Sequence, residues 1–389
     1  MRTPLPDALP EPDAVARAHS AAVVAELRAK IAAAGDFLPF DRYMQHVLYA
    51  PSLGYYVAGA RKFGADGDFV TAPEMTSLFS AALATQVDAI LNATQARQLV
   101  ELGAGSGALA ADLLNALAAR DALPAQYLIL DVSPELRERQ RATIAARAPA
   151  HLARVAWIDA PPATIDGAVV MNEVLDAIPP RIVMRRSDTW FERGVTLQPA
   201  LAWAECPMVD EALIALAAER FPPEIDYTSE INVMAEALID DLAKRMLGGA
   251  MLIVDYGYPQ HEYYTPARNG GTLLAHYRHR ALADPFVWPG LVDLTTHVDF
   301  TAMAIAGVDA GLSVAGYASQ AAFLVNSGIL DALQATGAPT SPAYMREASA
   351  VQKLLAPMEM GETFKVLALA RGDDIAWSGF AQGDRTHKL

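Results

Sequence analysis

Residues 99–114 read LVELGAGSGALAADLL, and this stretch decides the fold. A strand-like run leads into Gly103, Gly105 and Gly107, and a helical pattern begins directly behind them. Glycines let such a turn close tightly and let a ligand approach the backbone, while the helix N-terminus offers N–H groups without intrahelical partners. Strand, glycine loop and helix in that order mark a nucleotide-type ligand. Further apolar runs of strand length fall at residues 127–131, 155–158, 168–171, 251–255, 312–317 and 364–370. Helical stretches such as 108–119 and 134–146 separate most of them. Buried parallel strands alternating with helices define an α/β fold built on a doubly wound, Rossmann-like sheet.

Two ligands suit the loop. Read as G-x-G-x-x-G/A, with Ala108 in the last place, it would hold the pyrophosphate of a dinucleotide. Glu101 weighs against that, because its carboxylate stands two residues before the first glycine and would repel pyrophosphate. S-adenosylmethionine carries a cationic sulfonium and an ammonium, which the same carboxylate attracts. Asp131 ends the second strand, 24 residues after Gly107, where an acid accepts hydrogen bonds from ribose hydroxyls. Asp131 fits either ligand, and Glu101 with the three alternate glycines favours S-adenosylmethionine. The blander reading is a glycine turn that only caps a helix.

Three other strings carry polar groups. VVMNEVLDAIPP, residues 169–180, closes the fourth strand, at the end that faces the ligand crevice in such a sheet. Asn172, Glu173 and Asp176 interrupt its apolar run, and Glu173 and Asp176 share a face if the segment turns helically. Catalysis and plain capping or ion pairing account for these residues equally well. In GDFVTAPEM, residues 67–75, Thr71 and Glu74 match a capping box with Pro73 in the first turn, which makes Asp68 an ordinary turn residue. In DLTTHVDF, residues 293–300, His297 reads as a proton acceptor or a hydrogen-bonded loop residue. His276 and His279 stand three apart, as two ligands on one helical face would, but no acidic or cysteine partner follows at a familiar spacing, so no metal site is expected. The pairs Tyr55–Tyr56 and Tyr263–Tyr264 are candidates for stacking on an adenine, with core packing as the default.

Composition bounds the partners. Hydrophobic residues make up 53% of 389, enough for a sizeable core. The formal charge of −15, from 45 acidic and 30 basic residues, disfavours nucleic acid and suits a cationic substrate. A single cysteine, Cys206, excludes an internal disulfide and fits a reducing compartment. No uninterrupted apolar window is long enough for a membrane span, and the acidic, proline-rich start reads as a loose tail, so the expected location is the cytoplasm of a bacterium. The chain divides into a tail and helix (1–35), a helical region over the cofactor (36–97), the first part of the core (98–180), an inserted hairpin and helices (181–248), the fifth strand with a loop-rich insertion (249–311), the end of the core sheet (312–370) and a C-terminal tail (371–389). Residues 180–197 alternate like a hairpin, helical segments are expected from Asp210 and from Ser229, and the insertions are expected to form a lid over the open edge of the sheet.

Taken together, MQHVLYAPSLGYYV, GDFVTAPEMTSLF, LVELGAGSGALAADLL, LDVSPELRERQ, MNEVLDAIPP, IVDYGYP, DLTTHVDF and MGETFKVLAL resemble the MidA-type (DUF185) family in their order and spacing. That group includes the mitochondrial complex I assembly-factor arginine methyltransferases and many bacterial relatives. The resemblance spans about residues 40–370 and implies a class I S-adenosylmethionine-dependent methyltransferase fold with added helical segments. The mitochondrial members symmetrically dimethylate an arginine of a complex I subunit, so the resemblance implies a protein substrate such as a respiratory complex I subunit. It places the N-E-x-x-D-A-x-P motif on Asn172, Glu173, Asp176, Ala177 and Pro179, and the G-D-F-x-T-x-P-E segment on Gly67, Asp68, Phe69, Thr71, Pro73 and Glu74. Pro180 departs from the family pattern, which has an apolar residue there. The expected cofactor-binding set is then Glu101, Gly103, Gly105, Gly107, Asp131, Asn172, Asp68 and Glu74.

A guanidinium is a hard nucleophile to use, being protonated and delocalised. Carboxylates that grip it orient one nitrogen and receive the released proton. Glu173 is the first candidate for that role, Asp176 supports it, and His297 is a more distant candidate for passing the proton on. Two other functions stay open at this point: an NAD(P)-dependent oxidoreductase, and a non-catalytic assembly chaperone for a respiratory subunit.

Overall fold

The computed structural model describes residues 9–58, 71–223, 225–372 and 374–389; Gly67, Asp68 and Phe69 lie outside them. Seven strands form the main path of the eight-stranded central sheet: β1 (Gln98–Leu102), β2 (Gln126–Leu130), β3 (Val155–Ile158), β4 (Ile165–Asn172), β5 (Met246–Tyr258), β6 (Ser313–Ser319) and β7 (Phe364–Arg371); the short strand Val298–Asp299 pairs with the end of β5. Their order is β6-β7-β5-β4-β1-β2-β3, all parallel except β7, which runs antiparallel to both neighbours. The chain winds outward from β1 through β2 and β3, then crosses to β4 on the other side. The switch point between β1 and β4 is where a doubly wound sheet opens a crevice at its C-terminal edge.

The alternation along each strand explains the two layers of core. Leu99, Val170, Leu252 and Val254 face α1 (Ser77–Asn92) and α2 (Ala108–Ala118), whereas Val100, Leu102, Met171, Met251 and Ile253 face the opposite cluster. Burying Leu109, Leu113, Leu114 and Leu117 of α2 is worth roughly 1.5–3 kcal/mol per side chain. That anchors the helix, and with it the glycine loop at its start.

Arg181–Arg186, Thr189–Leu197, Leu201–Pro207, Tyr227–Ile231 and Leu38–Pro39 build an antiparallel five-stranded sheet. The expected hairpin is its first pair, closing with Arg186 opposite Thr189. Helix Glu211–Arg220 follows the expected start at Asp210, which caps it through the Leu213 N–H. The helix expected from Ser229 begins instead at Val233, because Tyr227–Ile231 alternates as a strand and Asn232 supplies the N-cap for Val233–Arg245. Helices Ala14–Ala33 and Phe40–Tyr49 pack Val23, Leu27, Phe40 and Met44 against Ile182 and Val195 of this sheet and against Leu294. The contact brings Tyr49 over the core, where its hydroxyl donates to the Ala177 carbonyl at 2.9 Å.

Beyond β7 the chain is folded in rather than trailing. Phe380 is buried with Phe323, and the Gln86 amide bonds the Ala376 carbonyl and the Gly379 N–H at 2.9 and 3.2 Å. Among the described residues no helix is long and apolar enough to cross a membrane.

Candidate functional site

A cavity of about 320 Å³ opens at the switch point, lined by the C-terminal ends of β1, β2 and β4 and by Tyr49, Tyr55, Tyr56 and Pro73. The glycine loop forms one wall. Gly103 and Gly105 have φ of +64° and +52° and face the cavity, a conformation and an approach that side chains would obstruct. Gly107 does a different job. It is the left-handed N-cap of α2, and a Cβ there would lie 2.8 Å from Cα of Gln140 in helix Pro134–Arg147, so it permits helix–helix contact and does not line the cavity.

Six carboxylates line the cavity, from Glu74, Glu101, Asp131, Glu173, Asp176 and Asp293, and no lysine, arginine or histidine is among its described lining residues. Glu101 is buried, and its Oε2 accepts from the Tyr127 hydroxyl at 2.7 Å. Burial pushes Glu101 up to about 7, against the Tyr127 hydrogen bond and with the help of Asp131. Asp131 is held in place by the Ser133 N–H at 2.9 Å and the Gln140 amide at 2.6 Å, and burial raises it too. These bonds leave carboxylate lone pairs for a ligand's hydroxyls.

The Thr71–Glu74 capping box does not form. Thr71 makes no side-chain bond to its helix, and Glu74 instead accepts from the Ser106 hydroxyl of the glycine loop. The short helix Ala72–Met75 therefore spans the site, and its first N–H, at Ala72, bonds Glu173. Asp68 lies outside the described residues.

At the end of β4 the chain bends sharply. Glu173 keeps strand register through its N–H to Val254 (2.9 Å) but has φ +53°, strained for a residue with a Cβ. Burial pushes its carboxyl up to about 8, reinforced by the nearby Asp176; the Asn172 amide (3.2 Å) and the Ala72 N–H pull the other way. Asp176 is raised for the same first reason, while the Tyr256 hydroxyl donates to its Oδ2 at 2.6 Å. Among the described residues Asn172 Oδ1 is a buried acceptor without a donor, and the Asp176 carboxyl has the Ala177 backbone N–H beside it. A cavity lined by six carboxyl groups fits cations bearing N–H groups better than it fits pyrophosphate.

His297 is not brought into the cavity. Its ring stacks on Tyr258 at 5.2 Å and meets the edge of Tyr256 at 5.1 Å, so Tyr256 lines the site in its stead. Burial, with Arg268 and Lys365 nearby, lowers it to about 4, so it is neutral near pH 7. His276 lies in strand Leu274–Tyr277 and His279 in the turn after it, so no helical face unites them. Tyr55 and Tyr56 do line the cavity; Tyr263 and Tyr264 belong to a separate core with Phe221. Sequence reasoning left Tyr49, Tyr256, Asp293 and Val132 unassigned. Tyr56 donates to Asp293 at 2.9 Å, a pairing across 237 residues with no local signal.

The raised acids make stability depend on pH. Glu101 and Glu173 hold protons in the folded state after the unfolded chain has released them, so their contribution is whole below about 4.5 and lost as pH rises through about 7 and 8. His297 opposes them only below its unfolded value near 6.5, and Lys365, lowered to about 8, acts only above that. Between about pH 6.5 and 8 the ligand-free protein is expected to lose melting temperature. Glu173→Gln should flatten the decline; a level or rising wild-type profile would show that these acids are not buried protonated.

A Rossmann-like sheet with seven strands on its main path, an acid at the end of β2 and a glycine cradle after β1 defines a class I S-adenosyl-L-methionine-dependent methyltransferase, and Glu101, with no cationic side chain among the described lining residues, fits its cationic cofactor. Residues 80–318 match the family described as S-adenosyl-L-methionine-dependent methyltransferases (Methyltransf_28), and the chain belongs to it. A COG1565 superfamily member from Burkholderia thailandensis, solved with S-adenosyl-homocysteine bound, superposes with a TM-score of 0.95 at 47% identity, over 98% of this chain and 100% of that one. The mitochondrial protein arginine methyltransferase NDUFAF7 homolog of Drosophila melanogaster is 28% identical over 94% of this chain and 89% of its own length. The Homo sapiens NDUFAF7 is 27% identical over 84% and 78%.

Proposed function

We propose that this methyltransferase modifies an arginine side chain in a protein, with Glu173 and Asp176 holding the guanidinium. The observation that carries the reading is the cavity wall of six carboxylates without a cationic side chain among the described lining residues. Glu173 and Asp176 sit together at the end of β4, beside the buried Asn172 Oδ1, which has no donor among the described residues. The arginine methyltransferase names of the mitochondrial relatives support the same target. A respiratory complex I subunit is the substrate class that the family resemblance suggests.

S-adenosyl-L-methionine, when bound, supplies a methyl group on a positively charged sulfur. Gly103, Gly105, Glu101, Asp131 and Glu74 line the part of the cavity that would hold it, with Asn172 between that part and the substrate. An arriving guanidinium favours the ionised form of Glu173, reversing the effect of burial. The carboxylate then accepts two N–H bonds, fixes one nitrogen for attack and takes the released proton. Asp176, itself held by Tyr256, keeps the positive charge on the remaining nitrogens. Tyr49 and Tyr56 stack at 5.5 Å and line this space.

The test is transfer of label from tritiated S-adenosyl-L-methionine to an extract from a strain lacking the gene, followed by hydrolysis and amino-acid analysis. Label in methylated arginine is the expected result; label confined to other residues or to small molecules would refute the target. For the cofactor, Asp131→Ala is expected to weaken binding of S-adenosyl-homocysteine by about 1–3 kcal/mol, the scale of lost hydrogen bonds to a charged group. Calorimetry giving unchanged affinity would remove Asp131 from the site.

A further inference from the structure

The loop that carries Glu173 and Asp176 is anchored from a neighbouring strand by a residue outside the cavity lining. Asp255, on β5, is 1% exposed. Its Oδ2 lies 3.2, 3.0 and 3.4 Å from the backbone N–H groups of Val174, Leu175 and Asp176, three donors in succession immediately after the strained Glu173. Its Oδ1 accepts from the Tyr256 N–H at 2.9 Å. The next residue, Tyr256, holds the Asp176 side chain. Two consecutive residues of β5 thus grip the backbone and the side chain of the loop at the end of β4.

We propose that Asp255 is a positioning residue for methyl transfer, holding the bend at 173–176 so that Glu173 and Asp176 aim into the cavity. The inference rests on the reading of Glu173 as the substrate's proton acceptor.

The choice of a carboxylate needs explaining. No lysine, arginine or histidine makes an ion pair with Asp255 among the described residues, and Asp176 and Glu173 stand close enough to repel its charge. Burying a carboxylate this way is expensive. What it gains is geometry. Burial first, then Asp176 and Glu173, raises this carboxyl well above the usual carboxylate range, and the Tyr256 and Leu175 N–H groups act against that; in either protonation state both oxygens keep lone pairs for the four N–H donors around them. Asparagine would turn an NH₂ toward one of those donors. A left-handed backbone at a non-glycine residue persists only where its surroundings over-determine it, and the three N–H bonds that follow Glu173 supply that constraint.

The test compares Asp255→Asn with wild type in three measurements: melting temperature, calorimetric affinity for S-adenosyl-homocysteine, and single-turnover labelling of the gene-deleted extract per folded molecule. The expected result is a folded protein whose affinity changes by less than about threefold while transfer falls roughly 10²-fold, the scale of a misplaced reacting group. Adding Glu173→Gln to it should cost no more than about threefold further, because both changes disable one group. Full transfer per folded molecule, or an undiminished Glu173→Gln effect on top, would overturn the proposal. Asp255→Glu, which keeps the carboxyl group but moves it by one methylene, is judged by the same measurements. If neither variant folds, Asp255 is a stability residue and the proposal falls. Failure of the underlying reading is distinguishable: Glu173→Gln alone would then transfer methyl normally, whatever Asp255→Asn does.

Discussion

Glu173→Gln is expected to reduce single-turnover methyl transfer by roughly 10²–10⁴-fold, the span for removal of a general base, with affinity for S-adenosyl-homocysteine near wild type. The substitution is nearly isosteric, so it keeps the backbone bond to Val254 and the positive φ of the bend. What it removes is the charge and the site that receives the proton. Glutamine also does not have to be protonated to be buried, which reverses a burden that pushes the glutamate up to about 8. The variant should therefore melt at or above the wild-type temperature at pH 8. A combination of higher stability and lost turnover separates a chemical role from a structural one. A residue that merely capped or braced the loop would show the opposite pair of effects: a lower melting temperature and normal turnover per folded molecule. Unchanged transfer in the folded variant would remove Glu173 from the mechanism.

Gly105→Val is expected to abolish calorimetrically detectable binding of S-adenosyl-homocysteine. A β-branched side chain is poorly accommodated at φ +52°, and it would occupy space on the cavity wall. The contrast with Gly107 makes the test specific. At Gly107 even alanine places a Cβ 2.8 Å from the backbone of Gln140, so Gly107→Ala should lower the melting temperature before it touches the ligand. Loss of binding at Gly105 with the fold retained, and loss of stability at Gly107, would assign the two glycines of one motif to two different tasks. Wild-type affinity in Gly105→Val would mean that this loop does not hold the cofactor.

What could be read along the chain was whatever depends on near neighbours. The run from Gln98 to Ala118 carries strand, glycine loop and helix in unbroken succession, and its apolar residues repeat with the period of each element. Asp131 was legible for the same reason, standing at the end of a buried strand. The segment from Ser229 was misread as helical because a five-residue strand and the helix behind it share apolar spacing, and only pairing of Tyr227–Ile231 with Arg181–Arg186 decides between them.

The sequence by itself determined the class of sheet, the place of its crevice and the acidic character of the ligand site, since burial periodicity, glycine conformations and formal charge are local properties. Tertiary structure alone decided which groups meet there. Glu74 offered an equally good local partner in the Thr71 capping box, yet it bonds Ser106, because the fold lays helix Ala72–Met75 across the glycine loop. His297 stood between two aspartates in sequence, but in space burial, with Arg268 and Lys365 nearby, keeps it neutral near pH 7 and Tyr256 takes its place at the cavity. Asp255 and Tyr256 reach the 173–176 loop across about eighty residues of chain. Such contacts leave no periodic trace: each needs only one suitable side chain on each side, and the parallel register of β4 and β5 brings them together.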